Sequence, residues 1–180
     1  MKKLTILPAF CLFTLSAALV SQHVFGMMPC TLCVEIRFWL FMSLAASMIA
    51  FLPAAIGSRG TSSLRTSICR STEFLFGIAA TAMLITSAVW AYKLVYLEFL
   101  DKSMTGCSPI PFYYYDFPLG DWLPGVFATY AICGEGDNAV VGIPYSIWTL
   151  SWLGSGALLF LILDLMSIIK IAVKNKVSAA

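Results

Sequence analysis

Two thiols three residues apart, in Cys30-Thr31-Leu32-Cys33, are the part of this sequence best suited to chemistry. On a helix they share one face, and Arg37, four residues beyond Cys33, extends that face by another turn. Pro29 suits the first position of a helix, which predicts both thiols in its first turns, where the dipole favours a thiolate. Glu35 lies about 200° around the helix from Cys33 and is expected to face elsewhere. A pair so placed is a redox-active dithiol or half of a metal site. A second pair, Cys107 and Cys133, stands 26 residues apart and could exchange with it.

The elements that must position these residues cross a membrane. The 180 residues are 60% hydrophobic and 11% charged, less than half the usual charged share of about 25%. Mean hydropathy is +0.89. Four uncharged apolar runs, Leu4 to Ser21, Phe38 to Ile56, Phe74 to Tyr92 and Tyr145 to Leu163, each approach the ~20 residues that span a bilayer core. They are continuous and do not alternate, so helices are predicted and not barrel strands. The expected fold is an all-α membrane protein: one domain over 1–180, a bundle of four transmembrane helices at about 4–22, 34–56, 74–97 and 144–169. A long loop on the outer side, about 98–143, carries a short interfacial helix. The first run is long for a signal peptide, so it is read as a retained helix.

Charge sets the expected orientation. Lys2, Lys3, Arg59, Arg65, Arg70, Lys170, Lys174 and Lys176, eight of the eleven basic residues, fall on one side, which becomes the cytoplasm along with both termini. The opposite loop holds Glu98, Asp101, Asp116, Asp121, Glu135 and Asp137 against Lys102. The net charge of +2 is thus a topological asymmetry and not the signature of a nucleic-acid partner.

On this topology Cys30, Cys33, Cys107 and Cys133 face the side where disulfides persist. Cys11 falls inside the first helix, as a small buried hydrophobe, and Cys69 in the basic loop, as a reduced bystander. Three readings remain open for the four: two structural disulfides, a four-thiolate zinc site, or a thiol–disulfide relay. The zinc reading wants two Cys-x-x-Cys knuckles, which the second pair does not form. The relay gains from Arg37, because a charge at the edge of the hydrocarbon needs a reason to be there.

The flanking segments add detail. His23, the only histidine, is read as an interfacial residue. The second helix is expected to stop near Pro53, with a solvated loop from Gly57 to Thr72. Lys93 is expected to snorkel to the surface, as is Asp164, which is treated as structural. Prolines around Cys107 keep that part extended. Asp121 is expected to cap a short helix with Trp122, Val126 and Phe127 on one side, lying in the headgroup region.

Taken together, the sequence resembles the DsbB family of bacterial inner-membrane enzymes. The resemblance is carried by Gln22-His23-Val24, Pro29-Cys30-x-Leu32-Cys33, Arg37, Cys107 and Cys133, and Trp122-x-Pro124-x-Val126-Phe127, and it covers essentially the whole chain. It implies a thiol–disulfide oxidoreductase that reoxidises a periplasmic thioredoxin-fold, DsbA-like partner and passes the electrons to ubiquinone or menaquinone in the membrane. Cys107 would be the sulfur attacked by the partner, Cys133 its companion that can pair with Cys30, Cys33 the thiolate facing the quinone, and Arg37 its stabiliser and quinone ligand; no metal is implied. A DsbI-type enzyme with a dedicated partner shares this chemistry. A reductase of the vitamin K epoxide type shares its parts, but there the loop pair precedes the Cys-x-x-Cys. The chain departs from the family pattern where Ile36 separates Glu35 from Arg37, and where Lys93 and Glu98 stand in place of a histidine.

Overall fold

The computed structural model describes residues 2–57, 63–99, 108, 110–113, 116–131, 139–140 and 142–178. Four long helices make up most of it: α1 (Lys2–His23), α2 (Thr31–Gly57), α3 (Ser63–Phe99) and, after the short elements, α6 (Tyr145–Ser178). Each contains a stretch long and apolar enough to cross a membrane, Thr5–His23, Thr31–Phe51, Thr72–Phe99 and Tyr145–Val173. The chain is an all-α, multi-pass membrane protein. Helices are the required answer here, since each peptide group inside lipid must find its partner within its own segment. At 37 residues α3 is about 55 Å long, well beyond the ~30 Å hydrocarbon core, so it projects from the bilayer.

Two boundaries differ from the sequence reading. α2 does not stop near Pro53 but continues to Gly57, and α3 already begins at Ser63. The Ser/Thr/Arg-rich stretch expected as a solvated loop up to Thr72 is therefore largely the first turns of α3. Polar composition there reports water outside the membrane, not the absence of a helix.

The helices associate through small and weakly polar side chains, as they must where lipid tails are as apolar as leucine. Along α3, Ala80, Leu84, Ser87 and Ala91 recur at helical spacing and are buried against α2. Ser43 on α2 donates to the Ala80 carbonyl at 2.7 Å, and Ser87 on α3 donates to the Ile36 carbonyl at 3.4 Å. Cys11 on α1 is fully buried, its thiol 3.5 Å from the Ser43 hydroxyl, so it packs as a small core residue. Large apolar side chains such as Phe13, Leu75, Val89 and Leu158 point outward, to lipid. Asp164, expected to reach the surface, is instead buried at 8% exposure.

The loop end of the bundle is shaped by short elements. Gly26 adopts a positive φ of 66°, which lets the Met27 N–H turn back onto the Ser21 carbonyl and closes α1. The segment after α3 contains two single turns, α4 (Leu119–Trp122) and α5 (Pro124–Phe127), and a two-stranded antiparallel ribbon of β1 (Ala139–Val140) and β2 (Ile143–Pro144) that feeds α6. Asp121 is not the expected N-cap: it lies inside α4, whose N-cap is Pro118 without a side-chain bond. Pro124 splits the expected helix into two turns, and only Phe127 is fully buried, while Trp122 faces out.

Candidate functional site

The site begins where α2 begins. The first helical residue is Thr31, so Pro29 stands two residues before the helix rather than at its first position. Cys30 is left as the cap. Its carbonyl accepts the Val34 N–H at 3.1 Å, and its sulfur receives the Cys33 N–H at 3.4 Å, a role usually taken by Ser, Thr or Asp. Of the two thiols, only Cys33 lies within the first turn. Their sulfurs are in contact at 2.8 Å. That hydrogen bond with Cys33, followed by burial, pushes the Cys30 thiol well above its ordinary pKa.

Arg37 continues the same side of α2 and is buried. Its guanidinium donates to the Gln22 Oε1 and Ala18 carbonyl of α1 and to the Val126 carbonyl of α5, the last two both at 3.1 Å. One side chain thus ties α1, α2 and α5 together. The remaining part of its planar fork is available to another acceptor.

Cys33 and Arg37 line a cavity of about 280 Å³ between α1, α2 and α6. Ile36 and Leu40 supply the α2 wall, Phe13 and Ala17 the α1 wall, and Tyr145, Trp148 and Trp152 the α6 wall. Among the described residues Cys33 is the cysteine that opens onto it; Cys30 does not line it. Below, the Trp152 indole N–H donates to Thr14 Oγ1 at 3.0 Å, and its ring stacks on Phe10 with centroids 5.4 Å apart. Gly156 leaves room for that ring: a Cβ there would lie 2.4 Å from Phe10 Cζ, and Phe160 blocks the retreat of the ring edge-on. Gly156→Ala is therefore expected to lower stability by about 1–3 kcal/mol, read as a lower midpoint of thermal unfolding in detergent.

Above the thiols, the chain after α5 crosses Cys30. Tyr130 N–H donates to the Pro29 carbonyl at 3.0 Å, and Ala131 pairs with Cys30 as an isolated parallel bridge. His23 is held in the same region, its Nε2–H donating to the Gly125 carbonyl at 3.0 Å. Cys107 and Cys133 lie outside the described residues, as does Lys102. The structure therefore brings together Cys30, Cys33 and Arg37, and Cys133 follows the bridged Ala131 by two residues.

Other residues stand around these elements. Gln22 and Tyr145 meet the site from α1 and α6; Ser21 Oγ lies 3.4 Å from the Tyr145 hydroxyl. Glu35, expected to face away from Cys33, is buried on another side of α2, where Oε1 accepts the Phe112 N–H at 3.1 Å. A carboxylate inside an apolar run was the available signal for it. Lys93, expected at the surface, sits over the Trp90 ring at 4.6 Å from its centroid.

Comparison with known proteins agrees with this geometry. A family model described as "Disulfide bond formation protein DsbB" matches residues 3–163. Disulfide bond formation protein B of Methylococcus capsulatus is 30% identical over 151 residues, covering 82% of this chain and 84% of the relative. The protein of the same name from Ralstonia nicotianae is 31% identical over 137 residues, 76% of each chain. Disulfide bond formation protein B 2 of Pseudomonas aeruginosa is 29% identical over 144 residues, 78% of this chain and 76% of the other. With a match over nearly its whole length and a Cys-x-x-Cys at the mouth of a membrane helix, this chain belongs to the DsbB family of disulfide bond formation proteins.

Proposed function

We propose that this protein transfers electrons from a periplasmic thioredoxin-fold dithiol partner to a quinone in the bacterial inner membrane, making disulfides de novo. The observation that carries this reading is the placement of Cys33 and Arg37 together on an apolar cavity between membrane helices, with Cys30 next to Cys33 but turned to the loop segment. The cavity suits the head of a quinone: its size is close to the ~300 Å³ lower bound of ligand pockets, its walls are apolar and aromatic, and its cation has donors to spare for a carbonyl oxygen. A bound quinone supplies the two-electron, two-proton acceptor that a dithiol requires.

The residues of the chain divide the remaining work. A partner thiolate attacks the Cys107 sulfur of a Cys107–Cys133 disulfide; a partner–Cys107 bond forms and Cys133 leaves as a thiolate. The partner's second thiolate then attacks its own mixed disulfide, which releases Cys107 and leaves the partner oxidised. Cys133 attacks Cys30 in the Cys30–Cys33 disulfide, and Cys33 leaves as the thiolate beside Arg37. Cys107 then displaces Cys30 from Cys133, which restores the loop disulfide and leaves Cys30 and Cys33 as the reduced pair. Chain length supports the exchange at Cys30, because two residues of chain hold Cys133 within about 7 Å of Ala131, the bridge partner of Cys30. Arg37 favours the Cys33 thiolate by its charge. The basic residues in the first turn of α1, between α2 and the apolar part of α3, and in the last turns of α6 support a topology with both termini in the cytoplasm and the thiols in the periplasm.

The test is to mix the purified protein with a reduced thioredoxin-fold protein and quinone and follow quinone absorbance. One quinone should be consumed per partner disulfide made. Cys107→Ala should abolish this, and quinone reduction that survives the substitution would sink the relay.

A further inference from the structure

On another side of α2 from the cavity lies a second buried polar cluster that the electron path does not use. Glu35 and Trp39, one turn apart, both meet Phe112: the Glu35 Oε1 takes its backbone N–H, and the Trp39 ring stacks on its ring at 5.9 Å and 17°. Trp90 of α3 stacks on the same ring at 5.9 Å and 3°. The next residue, Tyr113, lies on Phe38 at 4.5 Å and 17° and is buried. A pair of loop residues is thus seated by side chains from two helices.

The fit is tight but its polar groups are only partly satisfied. Glu35 Oε2, Trp39 Nε1 and the Tyr113 hydroxyl are buried without a hydrogen-bond partner among the described residues. Each such group costs free energy, and an ionisable one in a membrane helix costs most. An apolar residue at position 35 would remove one of these costs, so the carboxylate is retained against stability. Its single bond explains what it is retained for.

We propose that Glu35 is a positioning residue: it clasps the Phe112 N–H and thereby tethers the loop segment that carries Cys107 to the helix that carries Cys33. This rests on the electron-transfer reading above and adds the device that presents Cys107. Phe112 follows Cys107 by five positions, so chain length keeps Cys107 within about 18 Å of the anchored Phe112. Free of the clasp, the segment would explore a larger volume, and the effective concentration of Cys107 at its exchange partners would fall. Among the described residues Glu35 bonds Phe112 and neither Cys30 nor Cys33; it acts through Phe112.

The test uses the full chain with Glu35→Gln, Glu35→Asp and Glu35→Leu. The amide oxygen of Gln can accept the same N–H, Asp is a methylene too short, and Leu cannot accept at all. Amide hydrogen exchange in the 110–113 segment should be as slow as wild type in Glu35→Gln and at least about tenfold faster in Glu35→Leu. Turnover with the reduced thioredoxin-fold protein should fall by about tenfold in Glu35→Leu and several-fold in Glu35→Asp, while quinone affinity, read from tryptophan fluorescence, stays at the wild-type value. A merely structural role would lower quinone affinity along with turnover. If Glu35→Leu fails to fold, Glu35→Asp decides. Unchanged exchange in the substituted proteins overturns the clasp, and changed exchange with unchanged turnover overturns its positioning role. Absence of turnover in wild type instead defeats the electron-transfer reading, and the exchange measurement still judges the clasp.

Discussion

Cys33→Ala is expected to stop quinone reduction outright while disulfide exchange between the loop cysteines and the partner continues. The loss should be at least about 10³-fold, the scale on which removing a reacting nucleophile acts. Among the described residues Cys33 is the cysteine that lines the membrane cavity, and Cys30 beside it does not. The fold should survive, because the cap on α2 uses the backbone N–H of residue 33 and the sulfur of Cys30, both of which remain. A small loss of about 1 kcal/mol in stability is the most that one half-buried thiol should cost. Rapid mixing with the reduced partner should oxidise at most one partner per enzyme, through the Cys107–Cys133 disulfide, with quinone absorbance flat. Quinone consumption near the wild-type rate would mean that electrons leave from another atom.

Arg37→Met should damage both stability and activity, and the two losses are separable. With the guanidinium gone, Gln22 Oε1 and the carbonyls of Ala18 and Val126 lose their shared donor, which should cost about 2–4 kcal/mol and loosen α1 and α5 from α2. Quinone reduction should fall by about 10²-fold beyond any loss of folded protein, the size found when a preorganised charged donor is removed. Arg37→Lys separates the effects. It keeps the charge beside Cys33 but has no planar fork, so it cannot hold three acceptors and a quinone oxygen together. It should recover part of the rate while the apparent KM for quinone stays high. Steady-state assays at varied quinone, with thermal unfolding in parallel, measure both.

The parts of this molecule differ in how openly the sequence declares them, for physical reasons. The four spanning helices are legible because lipid demands long uninterrupted apolar runs, and Phe74 to Tyr92 or Tyr145 to Leu163 have no other use. Their ends are less so: the Ser and Arg residues after Ser63 look like loop because hydropathy sees the bilayer and not the hydrogen-bond ladder. Cys33 and Arg37 on one face follow from helical periodicity alone. That Cys30 is the cap and stands outside the helix depends on how Ala131 and Tyr130 hold the preceding backbone, a long-range contact that local spacing does not carry. The cavity needs three helices that are far apart in the chain, and Tyr145, Trp148 and Trp152 read in isolation as an interfacial belt. Glu35 was set aside by its angle on the helix, which rightly says that it faces away from Cys33. It could not say that Phe112 waits there, 77 residues further on.

The separation of Cys33 from Cys30 across the first turn of α2 bears on how this protein could be inhibited. A molecule seated in the cavity would meet Cys33 and Arg37, while Cys30, which Ala131 crosses, does not line it. A lipophilic blocker with one acceptor for Arg37 would then act non-competitively towards the protein substrate: partner concentration could rise without restoring turnover. Blockade would leave the enzyme arrested in its reduced form, its thiols unable to pass their electrons on.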